Sequence, residues 1–151
     1  MLQQHATGTK AGDAGLEHLK GMTNLRVLYL DSPTVTDAGL EQLKGLARLV
    51  TLSLNGTKVT DAGLEHLAGM NNLYELRLND TEVNDAGLEH LNRLTELRDL
   101  FLNGNKVTDA GLEHLKALTN LERLELTKTK VTAAGVKNLQ QALPNCLIIW
   151  R

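Results

Sequence analysis

Histidine and glutamate recur together at a fixed interval, and both side chains can bind zinc. A histidine follows a glutamate in four copies of a 24-residue pattern, at His18, His66, His90 and His114. Equivalent positions on neighbouring helices would lie about 10 Å apart, whereas the ligands of one zinc ion lie about 2 Å from it. Adjacent residues also point about 100° apart around a helix. The spacing therefore favours copied surface positions, and we expect neither a metal site nor a cofactor.

No arrangement typical of nucleophilic catalysis is present in the sequence. Cys146 is the only cysteine, which excludes an internal disulfide, and it stands at a leucine position where apolar surroundings favour an inert thiol. Ser32 and Ser53 have no histidine within reach on their face of the repeat. The recurring glycines stand alone, unlike those of a phosphate-binding loop, so we expect them to allow close helix packing. The protein is therefore predicted not to be an enzyme, although a catalytic domain elsewhere in a longer gene would change that prediction.

The composition describes a folded chain with an aliphatic interior. Of 151 residues, 32 are leucine and 42% are hydrophobic, as in a globular domain. The aromatic residues are few: Tyr29, Tyr74, Phe101 and Trp150. A net charge of −2 provides no basic field for nucleic acid or an anionic membrane. No apolar run approaches the roughly 18–20 residues of a membrane helix and no signal peptide is visible, so the expected location is cytoplasmic by default.

A tandem repeat of 24 residues extends along nearly the whole chain. Five copies without gaps begin at Asp-Ala-Gly-Leu and cover residues 13–36, 37–60, 61–84, 85–108 and 109–132. Residues 133–151 form a shortened C-terminal copy with one extra residue before Leu143. Residues 1–12 are half a copy, in which residues 8–12 match residues 56–60. We expect residues 1–151 to form a single domain, because such copies stack on one another.

Each copy predicts one short helix and one short strand. In the second copy, three leucines spaced by three residues predict a helix, at Leu40, Leu43 and Leu46. Thr36 or Asp37 can accept hydrogen bonds from the first helical amides. Leu52 and Leu54 alternate with polar residues, which predicts a strand. Stacking then aligns the strands in a parallel sheet, and because helices are wider than strands we expect the sheet on the concave face.

The pattern L-x-x-L-x-L-x-x-T-x-V-T-D-A-G-L resembles that of leucine-rich repeats over about residues 8–151. Its V-T-D-A-G-L portion is similar to the type found in bacterial proteins and in eukaryotic F-box and ribonuclease-inhibitor relatives. The resemblance implies an α/β solenoid: a right-handed βα superhelix with a curved parallel sheet on the concave face and short helices on the convex face. It also implies a non-enzymatic binding scaffold, without indicating any particular ligand.

One position within the 24-residue repeat departs from the family pattern. The family usually places asparagine or cysteine where this chain carries Thr9, Pro33, Thr57, Thr81, Asn105 and Thr129. The buried asparagine ladder of the family should therefore be largely a threonine ladder. Pro33 lacks a backbone donor and should interrupt it.

Three columns of side chains should point from the strands to the concave solvent side, because strand residues alternate between the two faces. The first column holds Val27, Thr51, Glu75, Asp99 and Arg123. The second holds Tyr29, Ser53, Arg77, Phe101, Glu125 and Trp150. The third holds Asp31, Asn55, Asn79, Asn103 and Thr127. These columns vary while the helical motif recurs, which fits either relaxed constraint or selection for a ligand.

The predicted partner-binding residues are the aromatic and charged members of the first two columns: Tyr29, Glu75, Arg77, Asp99, Phe101, Arg123, Glu125 and Trp150. Several have a structural alternative. Trp150 can instead cover the last leucine layer, and Arg77 can stack on Phe101. Glu75 and Asp99 should repel one another as lateral neighbours, and either Arg77 and Arg123 neutralise them or they form an acidic spot for a basic partner.

Two functions follow from this arrangement. The first is a scaffold that binds a protein or peptide of unknown identity on the concave face, without nucleic acid or membrane partners. The second is a structural or assembly role, as a natural or engineered repeat fragment that self-associates through its terminal edges. Gln4 and Ala6 occupy leucine positions in the first half-copy, beside His5, so the N-terminal edge is predicted to be weakly capped. We accordingly expect a monomer or a weak homodimer.

Overall fold

The computed structural model describes residues 12–151. The predictions on the first half-copy therefore lie outside the described residues. They concern His5, Gln4, Ala6, Thr9 and dimerisation through the N-terminal edge.

Six three-residue strands recur at intervals of 24 residues. They are β1 Val27–Tyr29, β2 Thr51–Ser53, β3 Glu75–Arg77, β4 Asp99–Phe101, β5 Arg123–Glu125 and β6 Leu147–Ile149. All pair in parallel and in chain order within one sheet. Each residue lies beside the residue 24 positions later, as in Leu52↔Leu76. The parallel sheet predicted from the leucine spacing is confirmed.

A short helix precedes each strand in the chain. The helices are α1 Asp13–Leu16, α2 Asp37–Glu41, α3 Asp61–Leu64, α4 Asp85–Glu89, α5 Asp109–Leu115 and α6 Ala133–Ala142. Single 3-10 turns, Glu17–Leu19 and Glu65–Leu67, continue α1 and α3. Between the helices and the sheet lies one continuous core, which consists almost entirely of leucine. The predicted fold class, an α/β leucine-rich repeat solenoid, is confirmed.

Threonine rather than aspartate caps the amino-terminal end of most of the helices. The Thr60 hydroxyl oxygen accepts a hydrogen bond from Ala62 N at 3.3 Å and so caps α3. The aspartate that begins the preceding helix, Asp37, instead accepts bonds from Thr60 N at 2.8 Å and from Thr60 Oγ1 at 2.6 Å. Each aspartate therefore holds the cap of the next repeat, 23 residues later.

The glycine of the Asp-Ala-Gly-Leu motif makes room for this link. A Cβ placed on Gly63 would collide with Oδ1 of Asp37, and the same conflict arises in the following repeats. The carboxylate of Asp37 can therefore reach Thr60 only because residue 63 has no side chain. The close packing expected at these glycines is present.

The predicted threonine ladder does not run between repeats. Thr57 and Thr129 donate their hydroxyls to leucine carbonyls of their own turns, at 2.8 Å and 2.6 Å. Asn105 does link two repeats, because its Oδ1 accepts from Thr81 N and Oγ1 while its Nδ2 donates to Leu78 O at 2.7 Å. A hydroxyl places its donor and acceptor on a single oxygen close to the backbone, whereas an amide presents a separate donor and acceptor on a longer side chain.

Candidate functional site

The outward side chains of the sheet form one surface, here called the sheet face. It consists of the first and third residues of every strand, together with the residue two positions after the third. Strand pairing places Glu75 beside Asp99 and Asp99 beside Arg123. The same pairing places Arg77 beside Phe101 and Phe101 beside Glu125. These six side chains form a contiguous group on β3, β4 and β5, which we call the central patch: Glu75, Arg77, Asp99, Phe101, Arg123 and Glu125. Tyr29 lies on the same face at β1, beyond Ser53.

Trp150 does not lie in the second column, where the sequence analysis placed it. Strand pairing puts Ile149 beside Glu125, and Leu126 N donates to Ile149 O at 2.7 Å. Continuing this register places Trp150 beside Leu126, a core position. Its side chain is half-buried and packs against the leucine core. A shift of one residue sends a strand side chain to the opposite face, so the expectation for Trp150 was wrong in register.

The extra residue of the last repeat explains the error. Cys146 N donates to Leu143 O at 3.2 Å, just as Leu121 N donates to Leu118 O at 3.0 Å. Cys146 thus occupies the leucine position that the sequence predicts. Leu121 lies two residues before its strand, however, whereas Cys146 lies directly before β6. The segment between the leucine position and the strand is therefore one residue shorter in the last repeat, which offsets the insertion. As a result, β6 begins 24 residues after β5.

This register exposes a residue that the sequence analysis missed. Leu147 occupies the first column beside Arg123 and is 60% exposed. It adds an apolar side chain at the C-terminal side of the central patch. The composition of the segment Leu147–Ile149, apolar at every position, was the available signal.

Phe101 lies between two guanidinium groups at the centre of the patch. The Arg77 and Arg123 guanidinium carbons lie 5.4 Å and 5.3 Å from the centroid of its ring. Arg77 Nε also donates to Glu75 Oε1 at 2.5 Å, and Arg123 Nη2 donates to Glu125 Oε1. The ion pairs orient the two guanidinium groups, and their cation–π contacts hold the ring between them. The local stacking expected for Arg77 is therefore present, and Arg123 adds a second contact.

Asp99 differs from the other carboxylates of the patch. Among the described residues its carboxylate takes part in no hydrogen bond or ion pair, because Arg123 pairs with Glu125 and Arg77 with Glu75. Burial raises the pKa of the Asp99 carboxyl, the neighbouring charge of Glu75 raises it further, and Arg123 opposes the change. Neutralisation by the arginines is therefore achieved for Glu75 and not for Asp99.

The third column serves the framework. Asn79 N donates to Asn55 Oδ1 at 3.0 Å, and Asn103 N donates to Asn79 Oδ1 at 2.9 Å. Thr127 N continues the series to Asn103 Oδ1 at 2.8 Å. These side chains satisfy backbone donors of the next repeat and form the asparagine ladder that the sequence analysis sought two positions later.

The residues considered for other chemistry are not assembled into a site. Burial, followed by the charge of Asp99, raises the pKa of the Cys146 thiol to about 11, so the thiolate is scarce at neutral pH. Within residues 12–151 no cluster of histidine, cysteine, aspartate or glutamate has the geometry to hold a metal ion. No helix of the same part of the chain is long and apolar enough to cross a membrane.

The fold and the repeated contacts define a solenoid repeat protein. The family model described as Leucine Rich repeat matches residues 48–68, 94–116 and 117–139. Three segments of this chain thus match leucine-rich repeats, and the resemblance inferred from the sequence is confirmed. Proteins of this class commonly mediate protein–protein interaction.

Two solved structures of similar fold are internalins of Listeria monocytogenes. An internalin C2 shares 28% sequence identity with a TM-score of 0.74, over 89% of this chain and 55% of that chain. A second internalin has the same fold, with 22% identity and a TM-score of 0.55, over 96% of this chain and 52% of that chain. This chain spans about half the length of both structures. No curated protein matches the sequence.

Proposed function

We propose that this protein is a non-enzymatic scaffold that binds a protein or peptide on its sheet face. The observation that supports the proposal is the separation of the central patch from the framework. The links between repeats lie in the leucine core, at the aspartate–threonine caps and in the third column. The patch nevertheless concentrates an aromatic ring and five charged side chains. Within the described residues, only Glu125 among them is hydrogen-bonded to these links, by Asn103 Nδ2 at 2.7 Å.

The patch favours a partner with a basic side chain. It contains three carboxylates, of Glu75, Asp99 and Glu125, and two guanidinium groups. Since each arginine pairs with a glutamate, the Asp99 carboxylate is left to face a partner. Complementary charge supports specificity, while Phe101 and Tyr29 supply apolar contact area. Trp150 is not part of this proposal, because the register of β6 places it beside the core residue Leu126 rather than in the second column.

Affinity capture with the whole chain as bait tests the proposal. We expect proteins from the native source to be retained by the wild type and lost with Phe101→Ala combined with Glu75→Lys. Glu89→Lys on α4 is the matched control, because it makes the same charge change at an exposed helical position. Circular dichroism melting should show that all variants are folded. Retention of the same proteins by the patch variant would contradict the proposal.

Self-assembly through a terminal edge is a second candidate. Within the described residues, β6 pairs with a strand on one side only, and its segment Leu147–Ile149 is entirely apolar. An apolar edge strand is a template for pairing with another chain. Sedimentation velocity over a hundredfold range of concentration distinguishes the two functions: a reversible dimer supports assembly, and a monomer throughout excludes it.

A further inference from the structure

A polar cleft lies beside the amino-terminal ends of β1, β2 and β3. It has a volume of about 300 Å³ and is lined by Asn24, Arg26, Arg48, Val50 and Asn72. Arg26 directly precedes β1 and Val50 directly precedes β2, so the cleft lies on the rim of the sheet. It shares no residue with the central patch.

Two guanidinium groups from neighbouring repeats line this cleft without a carboxylate partner. Among the described residues, neither Arg26 nor Arg48 forms an ion pair. Arg48 Nη1 donates at 2.9 Å to Oδ1 of Asn24, which is a neutral group. Two positive charges that line one cleft repel each other, and an anion bound there would offset that repulsion.

Three repeats later, the same backbone position is neutralised within the protein. Arg98 directly precedes β4, as Arg26 precedes β1. Arg98 Nη1 donates to Glu122 Oε1 at 2.5 Å, and its guanidinium lies 5.2 Å from the Tyr74 ring centroid. Arg98 thus has an acidic partner and an aromatic partner within the protein, whereas Arg26 at the equivalent position has no acidic partner among the described residues.

We propose that the cleft binds an oxyanion, a phosphate or carboxylate group, through Arg26 and Arg48. A guanidinium presents paired N–H donors that match the oxygens of both groups. The bond from Arg48 occupies Oδ1 of Asn24, which leaves the amide hydrogens of Asn24 as additional donors. Asn72 Nδ2 donates to Ala47 O at 2.9 Å, which holds this lining side chain in place. This site is independent of the function proposed for the sheet face.

A nuclear magnetic resonance titration of the ¹⁵N-labelled chain tests this site. Sodium phosphate and sodium acetate are added separately at constant ionic strength, and the arginine Nε–Hε signals are followed. We expect saturable shifts at Arg26 and Arg48. Arg26→Gln combined with Arg48→Gln should weaken binding by more than about tenfold, since it removes both charged donors. Arg98→Gln is the matched control and should bind as the wild type does.

The two probes distinguish the sources of the oxyanion. Saturation by phosphate alone assigns the cleft to phosphate groups, saturation by acetate alone assigns it to carboxylates, and saturation by both assigns it to oxyanions in general. Shifts that rise linearly with concentration, or that are equal at Arg98, would overturn the site, because they report general screening. Should the double variant fail to fold, the wild-type titration and the two single variants give the same decision.

Discussion

Single residues of the central patch show how charge pairing is decided within a strand. The sequences Glu-Leu-Arg in β3 and Arg-Leu-Glu in β5 place opposite charges two residues apart, on the same face of one strand. Both arginines pair with these nearby glutamates. Asp99 on the middle strand is thus left without an ion pair, although each neighbouring strand carries one guanidinium group. Pairing is thus decided by proximity along one strand rather than by the lateral neighbours on adjacent strands.

Replacement of Asp99 by asparagine should stabilise the protein. The pKa of this carboxyl is raised on folding, so its ionisation destabilises the folded state as the pH rises through the folded-state pKa. We expect Asp99→Asn to increase the free energy of unfolding at pH 7 by about 0.5 kcal/mol, the scale of a cross-strand charge interaction. The gain should vanish near pH 3, where the carboxyl is protonated in both states. Urea unfolding at the two pH values measures both effects.

The exposed carboxylate of Glu89 on α4 provides the control. Glu89→Gln should leave the stability nearly unchanged at both pH values. A loss of stability in Asp99→Asn at pH 7 would instead show that the carboxylate makes a favourable contact.

Helices of successive repeats are connected by a three-part link of aspartate, threonine and glycine. Asp109 accepts bonds from Thr132 N at 2.8 Å and Thr132 Oγ1 at 2.6 Å, and these bonds lower the pKa of its carboxyl. The three atoms nearest to a Cβ placed on Gly135 all belong to Asp109. The recurring Asp-Ala-Gly-Leu motif is thus a contact between elements, in which the aspartate of one copy requires the glycine of the next.

A double-mutant cycle tests this coupling. Gly135→Ala alone should destabilise the protein by about 1–3 kcal/mol, because the methyl group would collide with Asp109. With Asp109→Ala already present, the same change should be close to neutral or stabilising, since alanine favours the helix. Urea unfolding of the four proteins gives the coupling energy, which we expect to exceed about 1 kcal/mol. Additive effects would show that the glycine serves another purpose.

The whole molecule is a stack in which each repeat contacts its neighbours, so the last copy must cover the core by other means. Trp150 packs half-buried against the leucine layer, and the Arg151 guanidinium lies 4.1 Å from its ring centroid. Gln140 Nε2 donates to Leu143 O at 2.8 Å and to Cys146 O at 2.9 Å. In the preceding repeat, the carbonyl of Glu122, which also directly precedes its strand, accepts a bond from Leu147 N at 2.8 Å. The side-chain amide of Gln140 therefore donates to a carbonyl that would otherwise accept from a following strand.

Cys146 offers a probe of this terminal layer. Its side chain is 5% exposed, and burial raises the pKa of the thiol, so labelling by a thiol reagent at pH 8 should be slow in the wild type. Trp150→Ala should accelerate labelling by about tenfold or more, because opening of the last repeat becomes easier. Amide exchange at Leu28, at the other end of the stack, should be unchanged. Equal labelling rates in the two proteins would show that Trp150 does not protect this layer.

The local pattern of the chain was sufficient to predict the repeat, the parallel sheet and the leucine core. Each copy has the same spacing of leucines, so each forms the same helix and strand, and stacking aligns equivalent elements. It also predicted that Tyr29, Phe101 and the charged residues of β3 to β5 share a face, since strand side chains alternate. The tertiary structure alone decided the position of Trp150, the pairing that leaves Asp99 without an ion partner, and the cleft between Arg26 and Arg48. These depend on where an extra residue is absorbed and on which neighbouring side chains reach one another. Such distances arise only when separate repeats are packed together.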